Sequence, residues 1–452
     1  MSDAPEADRP APANSSAAML EELSHYVVAD PYPFVLDLAR CHNSFLVTVE
    51  GREIFDWAQY FGSKLIAHNH PGLYEPDYLR ELSLAANNKT ANPDFLTPQC
   101  LAYYRTLHEL APRCMNDPRL EVYVVNSGAE AVENMMKYFI NLHHHQLKTN
   151  GSAPTPAEAT GRFIYFDQAF HGRTIFALNV TQSTSDPVIT RNFQGYIPGN
   201  LKIPFPFIDR DRSNAANEAL TDESLQVVER LLVQHAGEIA GIIVEPIQGA
   251  GGHRLALPRF FAGLSELAHR HQTNLGFDEV QTAGGQTGTF WAADQLDLPH
   301  PPQAIAAAKK LANGVVYMLY PMEDRGVLDS TWGGTLADMV RFVQEIAIIR
   351  REKLIEQVPP KSARLVAGLD RVAKDFPAVL HNPRGMGLYQ GFGIRDAIGK
   401  SAFLEFALQE HNLLLLGAGA TSIRIRPTLS VTESEIDLLI EKLRAICEYF
   451  TA

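Results

Sequence analysis

The chain predicts an α/β fold: a mostly parallel sheet between helices, with a smaller α+β domain built from both chain ends. Three observations predict it. From Glu121 onward, short apolar runs recur, and each stops at polar residues. Helical patterns lie between these runs, as crossover helices would. After about Thr335 the texture changes to a long helix, extended pieces and a terminal helix.

The elements follow in order. Val122 to Val125 is a short apolar run followed by Asn126-Ser127-Gly128, and Ala129, Val132, Met136 and Phe139 then recur at helical spacing. Phe163 to Phe166 ends at Asp167-Gln168, and Phe170-His171-Gly172 comes next. Ile239 to Val244 ends at Glu245, Leu275 to Phe277 ends at Asp278, and Ala304 to Ala308 ends at Lys309. Buried parallel strands read this way, and ligands bind at their C-terminal ends. A helical pattern covers Met339 to Ile355, extended pieces lie near Gly385 to Gly393 and Ile423 to Leu429, and a last helix starts at Ser434. Phe45 to Trp57 alternates like a hairpin around Glu50-Gly51 and is expected to join the smaller domain. The expected division is a disordered leader over 1–17, small-domain residues 18–85, a large domain over 86–335 and small-domain residues 336–452.

The bulk numbers exclude several classes. With 452 residues, 46% of them hydrophobic, the chain can bury a large core. It carries 39 basic and 52 acidic residues, a formal net charge of −13, and no long basic run, so neither nucleic acid nor an anionic membrane is an expected partner. No apolar run approaches the roughly 20 residues that span a bilayer. The N-terminal segment lacks the basic start and apolar core of a signal peptide. Cys41, Cys100, Cys114 and Cys447 are scattered, so free thiols in a reducing cytoplasm are expected, with no disulfide framework and no metal.

Three positions carry chemistry. Asn126-Ser127-Gly128-Ala129 stands at a strand-to-helix junction, where free N–H groups and the helix dipole attract an anion such as phosphate, although an ordinary tight turn reads the same way. Asp278 ends an apolar strand, where it could hold a metal, a ribose or a protonated ring nitrogen, or simply a salt bridge. Lys309 closes an alanine-rich run. Desolvation there would lower its basicity and make it a nucleophile toward carbonyls, while surface lysines at a helix start are the everyday alternative.

Taken together, "NSGAEAVENMMK", "FHGRT", "EPIQGAGG", "FDEVQT", the lysine about thirty residues later, "STWGG" and "SIRIRP" occur in one order. That order resembles the class III, or ω-, aminotransferases of pyridoxal-phosphate (PLP) fold type I, from about Phe34 to the C-terminus. Within the class the chain looks most like the lysine 6-aminotransferases, through "VLDLAR", "STWGGTLADMVR" and "DFPAVLHNPRGMGL". The resemblance implies PLP as cofactor, L-lysine as donor, 2-oxoglutarate as acceptor and a homodimer with shared active sites. It implies that Lys309 carries the cofactor as a Schiff base, with Lys310 as the alternative. Ser127, Gly128 and Ala129 would hold the phosphate. Phe170, followed by His171, would stack on the ring, Asp278 would face the ring nitrogen, and Gln281 the phenolic oxygen. Thr331 would reach the phosphate of the neighbouring subunit. Arg173 would bind the donor α-carboxylate and Arg424 a carboxylate of the acceptor.

The chain also departs from the resemblance. The class usually has Glu after "EPIQG", where it pairs with the arginine matched by Arg424; here Ala250 stands in that place, and Gln248 and His253 cannot supply the charge. Donor choice is therefore open to 4-aminobutyrate, ornithine or reduced activity. A nucleotide-binding oxidoreductase is disfavoured, because neither G-x-G-x-x-G nor a Walker A motif occurs. His143-His144-His145 is expected to be an exposed helical tract, Trp291 and Trp332 to be core residues, and Tyr60 and Ser63 to line a substrate channel or to serve in the core or a turn.

Overall fold

A computed structural model of the protein describes residues 15–27, 30–149, 161–182, 199–322 and 325–452. Residues 1–14 of the expected leader lie outside the described residues. Residues 15–17 of it open a helix, Ser16–Ser24, whose N-cap hydroxyl of Ser15 accepts from the Ala18 N–H at 3.3 Å.

Strands β1 (Phe45–Val47) and β2 (Glu53–Asp56) form the antiparallel hairpin that the alternation predicts. Gly51 takes φ +91° in its turn, a conformation that favours glycine.

The large sheet contains β3 (Glu121–Val125), β4 (Arg162–Phe166), β5 (Leu201–Ile203), β6 (Ile239–Val244), β7 (Asn274–Asp278), β8 (Ala304–Ala307) and β9 (Gly314–Met318). Their spatial order is β3-β9-β8-β7-β6-β4-β5. Pairing is parallel from β8 through β5, whereas β9 runs antiparallel to both β8 and β3. The reversed β9 is absent from the sequence reading, although Asn313-Gly314 before a Val-Val-Tyr run is a turn-then-strand signal. Every residue of β6, β7, β8 and β9 is buried, which explains their unbroken apolar texture.

The helix Gly128–Thr149 packs against β6 to β9. It lies so close that a Cβ on Gly241 would meet Phe139 Cδ2 at 2.4 Å, and one on Gly276 would meet Met135 Sδ at 2.7 Å. Helices Asn214–Gln234 and Pro258–Arg270 pack together, the latter against β7. The parallel strands therefore deliver their C-terminal residues to one edge.

The helix Leu336–Glu352 ends at Lys353 in a left-handed conformation. Beyond it, β10 (Leu380–Met386), β11 (Tyr389–Ile394), β12 (Leu413–Leu414), β13 (Leu416–Ala418) and β14 (Ser422–Ile425) follow. An antiparallel sheet of order β10-β11-β14-β13 forms, while β12 joins β2 in a three-stranded sheet with β1. The two chain ends meet in that sheet. The helix Val358–Asp375 packs on β10, Lys400–His411 on β12 and β13, and the terminal helix Glu433–Thr451 on both helices. The terminal helix starts with a capping box of Thr432 and Glu435.

Some side chains differ from expectation. His143 is 4% exposed, because the tract's helix turns that residue toward the protein, so the tract is not wholly exposed. Trp291 is core, but Trp332 is 47% exposed, with Lys89 Nζ 3.3 Å above its ring. The four cysteines are free. Among the described residues no helix is long and apolar enough to cross a membrane, and no cluster of His, Cys, Asp or Glu could hold a metal.

Candidate active site

The edge where the strands end opens into a cavity of about 860 Å³. Its wall draws on the ends of the large sheet's strands and on β14 of the four-stranded sheet, and includes Ser127, Gly128, Ala129, Phe170, His171, Arg173, Asp278, Gln281, Lys309 and Arg424. Thus the structure brings together every sequence-predicted site residue except Thr331, which is exposed and not part of this wall.

At the end of β3, Ser127 enters the helix Gly128–Thr149, and its hydroxyl accepts from the Glu130 N–H at 3.2 Å. The 22-residue helix directs its N-terminus, the positive end of its dipole, at the cavity. Close approach is built in: a Cβ on Gly128 would meet Val280 Cγ1 at 2.7 Å, and one on Gly172 would meet Ala129 Cβ at 2.7 Å.

Beyond β4, the Phe170 N–H donates to Glu245 Oε1 at 3.0 Å, and the His171 N–H to Thr181 Oγ1 at 2.9 Å. Asp278, at the end of β7, is 4% exposed. Its Oδ1 accepts from the Val280 N–H at 2.9 Å, and its Oδ2 lies 2.7 Å from His171 Nδ1. Burial works against charge on His171, but the hydrogen bond and charge of Asp278 outweigh it and raise its pKa. Glu245, at the end of β6, also lines the cavity; burial raises its carboxyl to about 7, with the Asp278 charge adding to the rise.

The two lysines part company immediately after β8. Lys309 adopts a left-handed φ of +52° and faces the cavity. Its amine is lowered to about 8, by burial first and then by the Arg424 charge, while Asp278 opposes the fall. Lys310 is 2% exposed and turns into the protein, where its Nζ donates to the Gln281 carbonyl at 2.5 Å and to Tyr389 Oη at 2.6 Å.

Arg424, on β14, is 8% exposed, and its Nε donates to the Gly417 carbonyl at 3.1 Å. Burial lowers it to about 10. No ion pair to a carboxylate forms on Arg424 or Arg426 among the described residues. Arg426 lies behind the wall. Its Nη2 contacts Gln281 Oε1 at 3.2 Å and His253 Nδ1 at 3.0 Å. Ala250 lines the cavity, and its carbonyl accepts from the Gly419 N–H at 2.9 Å. Gln248 points away, donating to the Asp167 carbonyl at 2.7 Å.

Sequence reasoning missed four residues. Glu245 had a signal, because it ends a fully buried strand just as Asp278 does. Phe61 lines the cavity where Tyr60 and Ser63 were the expected candidates, since Gln59, Tyr60 and Phe61 all adopt positive φ and turn the segment. Lys400 and the buried Tyr389 carry no local signal.

The wall fits PLP. It offers a glycine-lined helix N-terminus for a phosphate, a buried carboxylate for a protonated ring nitrogen and an amine of depressed basicity for an aldehyde.

Comparison with known proteins agrees. Residues 27–447 match the family model "Aminotransferase class-III". The L-lysine-epsilon aminotransferase of Mycobacterium tuberculosis is 33% identical, with 94% of each chain covered. That of Amycolatopsis lactamdurans is 31% identical, again over 94% of each. A solved lysine aminotransferase from M. tuberculosis, in the internal aldimine form, superposes with a TM-score of 0.87 at 33% identity, covering 96% of this chain and 99% of that one. With this fold and this wall of residues, the chain belongs to the class III aminotransferases, PLP-dependent enzymes that transfer amino groups.

Proposed function

We propose that this enzyme moves the ε-amino group of L-lysine to 2-oxoglutarate, in two half-reactions that share the one cavity. The observation that carries the reading is the facing of Lys309 into a cavity that also holds Asp278 and the Gly128–Ala129 helix start. Likeness to the L-lysine-epsilon aminotransferases supports the donor.

PLP bound there supplies an electron sink for breaking a C–H bond beside the amine. Asp278 would keep the ring nitrogen protonated, because an adjacent negative charge favours the cation. His171 orients that carboxylate through its 2.7 Å contact. Ser127, Gly128 and Ala129 would hold the phosphate, Phe170 would cover the ring and Gln281 would face its phenolic oxygen. Lys309 would hold the cofactor and, once released by the donor, carry the proton between carbons as base and then acid. Arg173 would bind the α-carboxylate of lysine through its planar fork, leaving the distant amine at the reacting end. Arg424 would take a carboxylate of the acceptor. Thr331, exposed on this chain, would serve the neighbouring subunit in a homodimer, and the enzyme would work in the cytoplasm.

Ala250 favours a second reading. With no carboxylate covering Arg424, a shorter ω-amino acid such as 4-aminobutyrate or ornithine could place its own carboxylate there. Borohydride reduction of the holoenzyme followed by peptide mapping tests the lysine, with label expected on Lys309. A donor panel at fixed 2-oxoglutarate tests the substrate. Faster turnover of 4-aminobutyrate or ornithine than of L-lysine would replace the first reading by the second.

A further inference from the structure

Behind the cavity wall, Lys310 is a buried amine that none of these steps uses. Its stem runs past Gly284, where a Cβ would come within 2.7 Å of Lys310 Cε. Three oxygens receive its Nζ: the carbonyl of Gln281 at 2.5 Å, Tyr389 Oη at 2.6 Å and the carbonyl of Gly62 at 3.4 Å. None is a carboxylate. Tyr389 Oη itself donates to the Gln281 carbonyl at 2.6 Å. The Tyr389 ring also carries the Arg426 guanidinium 4.2 Å from its centroid. Burying an amine without a counter-ion is costly, and burial with the Arg426 and Lys309 charges pushes this one well below its usual basicity.

The three oxygens come from three parts of the chain. Gly62 ends the Gln59–Gly62 segment, in which Gln59, Tyr60 and Phe61 hold φ of +46°, +50° and +62°. Three consecutive left-handed residues persist only where the surroundings over-determine them. Gln281 belongs to the turn after β7, and Tyr389 to β11 of the small sheet. On the cavity side of the same junction, the Phe61 carbonyl stands 3.5 Å from both Lys309 Nζ and Gln281 Nε2.

We propose that Lys310 is a positioning residue for Lys309, pinning the Phe61–Gly62 segment and the Gln281 turn to Tyr389 so that the wall behind the reactive amine admits no water beyond the cavity itself. The inference rests on Lys309 being the reactive amine. When the pin is removed, the strained segment relaxes, water enters from behind as well as from the cavity, and the Lys309 amine regains basicity. The charges of Arg424, Asp278, Arg426 and Glu245 also act on that amine and stay in place, whereas Lys310 and Lys309 repel each other, so Tyr389→Phe, which removes no charge, separates loss of the pin from loss of that repulsion.

Lys310→Met keeps the stem and deletes the donors, and Tyr389→Phe deletes only the hydroxyl. In the full-length chain freed of cofactor, acylation of Lys309 by acetic anhydride across a pH series, read by peptide mass, gives its titration midpoint. The wild-type midpoint is expected at about 8. In Lys310→Met it should rise by about one pH unit, with a smaller rise in Tyr389→Phe. The Lys310→Met holoenzyme should lose about tenfold in kcat while KM for the donor moves less than about threefold. A Lys310→Met midpoint within about 0.3 pH of wild type overturns the positioning role. If that variant does not fold, Tyr389→Phe decides by the same criterion. Borohydride label on Lys310 in the wild type would instead defeat the reading beneath it. Label on Lys309 with an unmoved midpoint defeats the positioning role alone.

Discussion

Ala250→Glu restores a carboxylate to the wall that carries Arg424. The two positions hang from one short stretch: the Ala250 carbonyl accepts from the Gly419 N–H, and the Gly417 carbonyl from Arg424 Nε. Burial lowers Arg424 from 12.5 to about 10. That fall corresponds to about 3 kcal/mol against the guanidinium charge. If an internal carboxylate recovers half, an external one must compete against the same amount, on the order of tenfold in Kd. The assay is calorimetric titration of both holoenzymes with glutarate, a dicarboxylate that lacks a reactive carbonyl. The variant should bind it about tenfold more weakly, and kcat/KM for L-lysine should rise as the uncovered cation is masked from the donor ammonium. Equal glutarate affinity in the two proteins would refute the claim that Arg424 stands uncovered because of Ala250.

Three further outcomes are expected. Gly128→Ala drives a Cβ to 2.7 Å from Val280 Cγ1 and 3.3 Å from Ala308 Cβ. Overpacking of about 1–3 kcal/mol should weaken PLP retention on dialysis by about tenfold or more, measured by absorbance. Asp278→Asn removes the charge that pairs with His171 and would face the ring nitrogen, and should lower kcat by about a hundredfold, at about 3 kcal/mol for a broken buried pair. The Lys309 amine, lowered to about 8, becomes unprotonated above that pH, not above its ordinary 10.5. Capture of PLP by the cofactor-free chain should therefore accelerate with pH and level off above about 8 in stopped-flow absorbance; acceleration continuing to pH 10 would contradict it.

The strand ends were legible because each buried strand is an apolar run that must stop where the chain meets a ligand-facing edge. Asp278 and Lys309 were found on that pattern, and Gly128 and Ala129 on the junction that follows one. Glu245 stands on the same pattern and was passed over. Strand β9 (Gly314–Met318) is equally apolar, but it follows Lys309 after a short turn and runs antiparallel to β8, so it does not repeat the strand-then-helix pattern of the others. The burial of His143 depends on which helix face meets a neighbour, and the exposed setting of Trp332 on where the bend before the helix Leu336–Glu352 lies; residue type alone encodes neither.

Composition and periodicity by themselves determined the α/β class, the order of the elements and which polar residues close the buried strands, because burial imposes a local pattern on sequence. Tertiary structure decided which of two adjacent lysines faces the cavity. The left-handed φ of Lys309 sends one amine toward Asp278, and packing by Gly62, Gln281 and Tyr389 takes the other inward. It also decided that Arg424 faces the cavity while Arg426, two residues on, braces Gln281. Those partners lie up to 248 residues apart along the chain, so no local pattern could announce them.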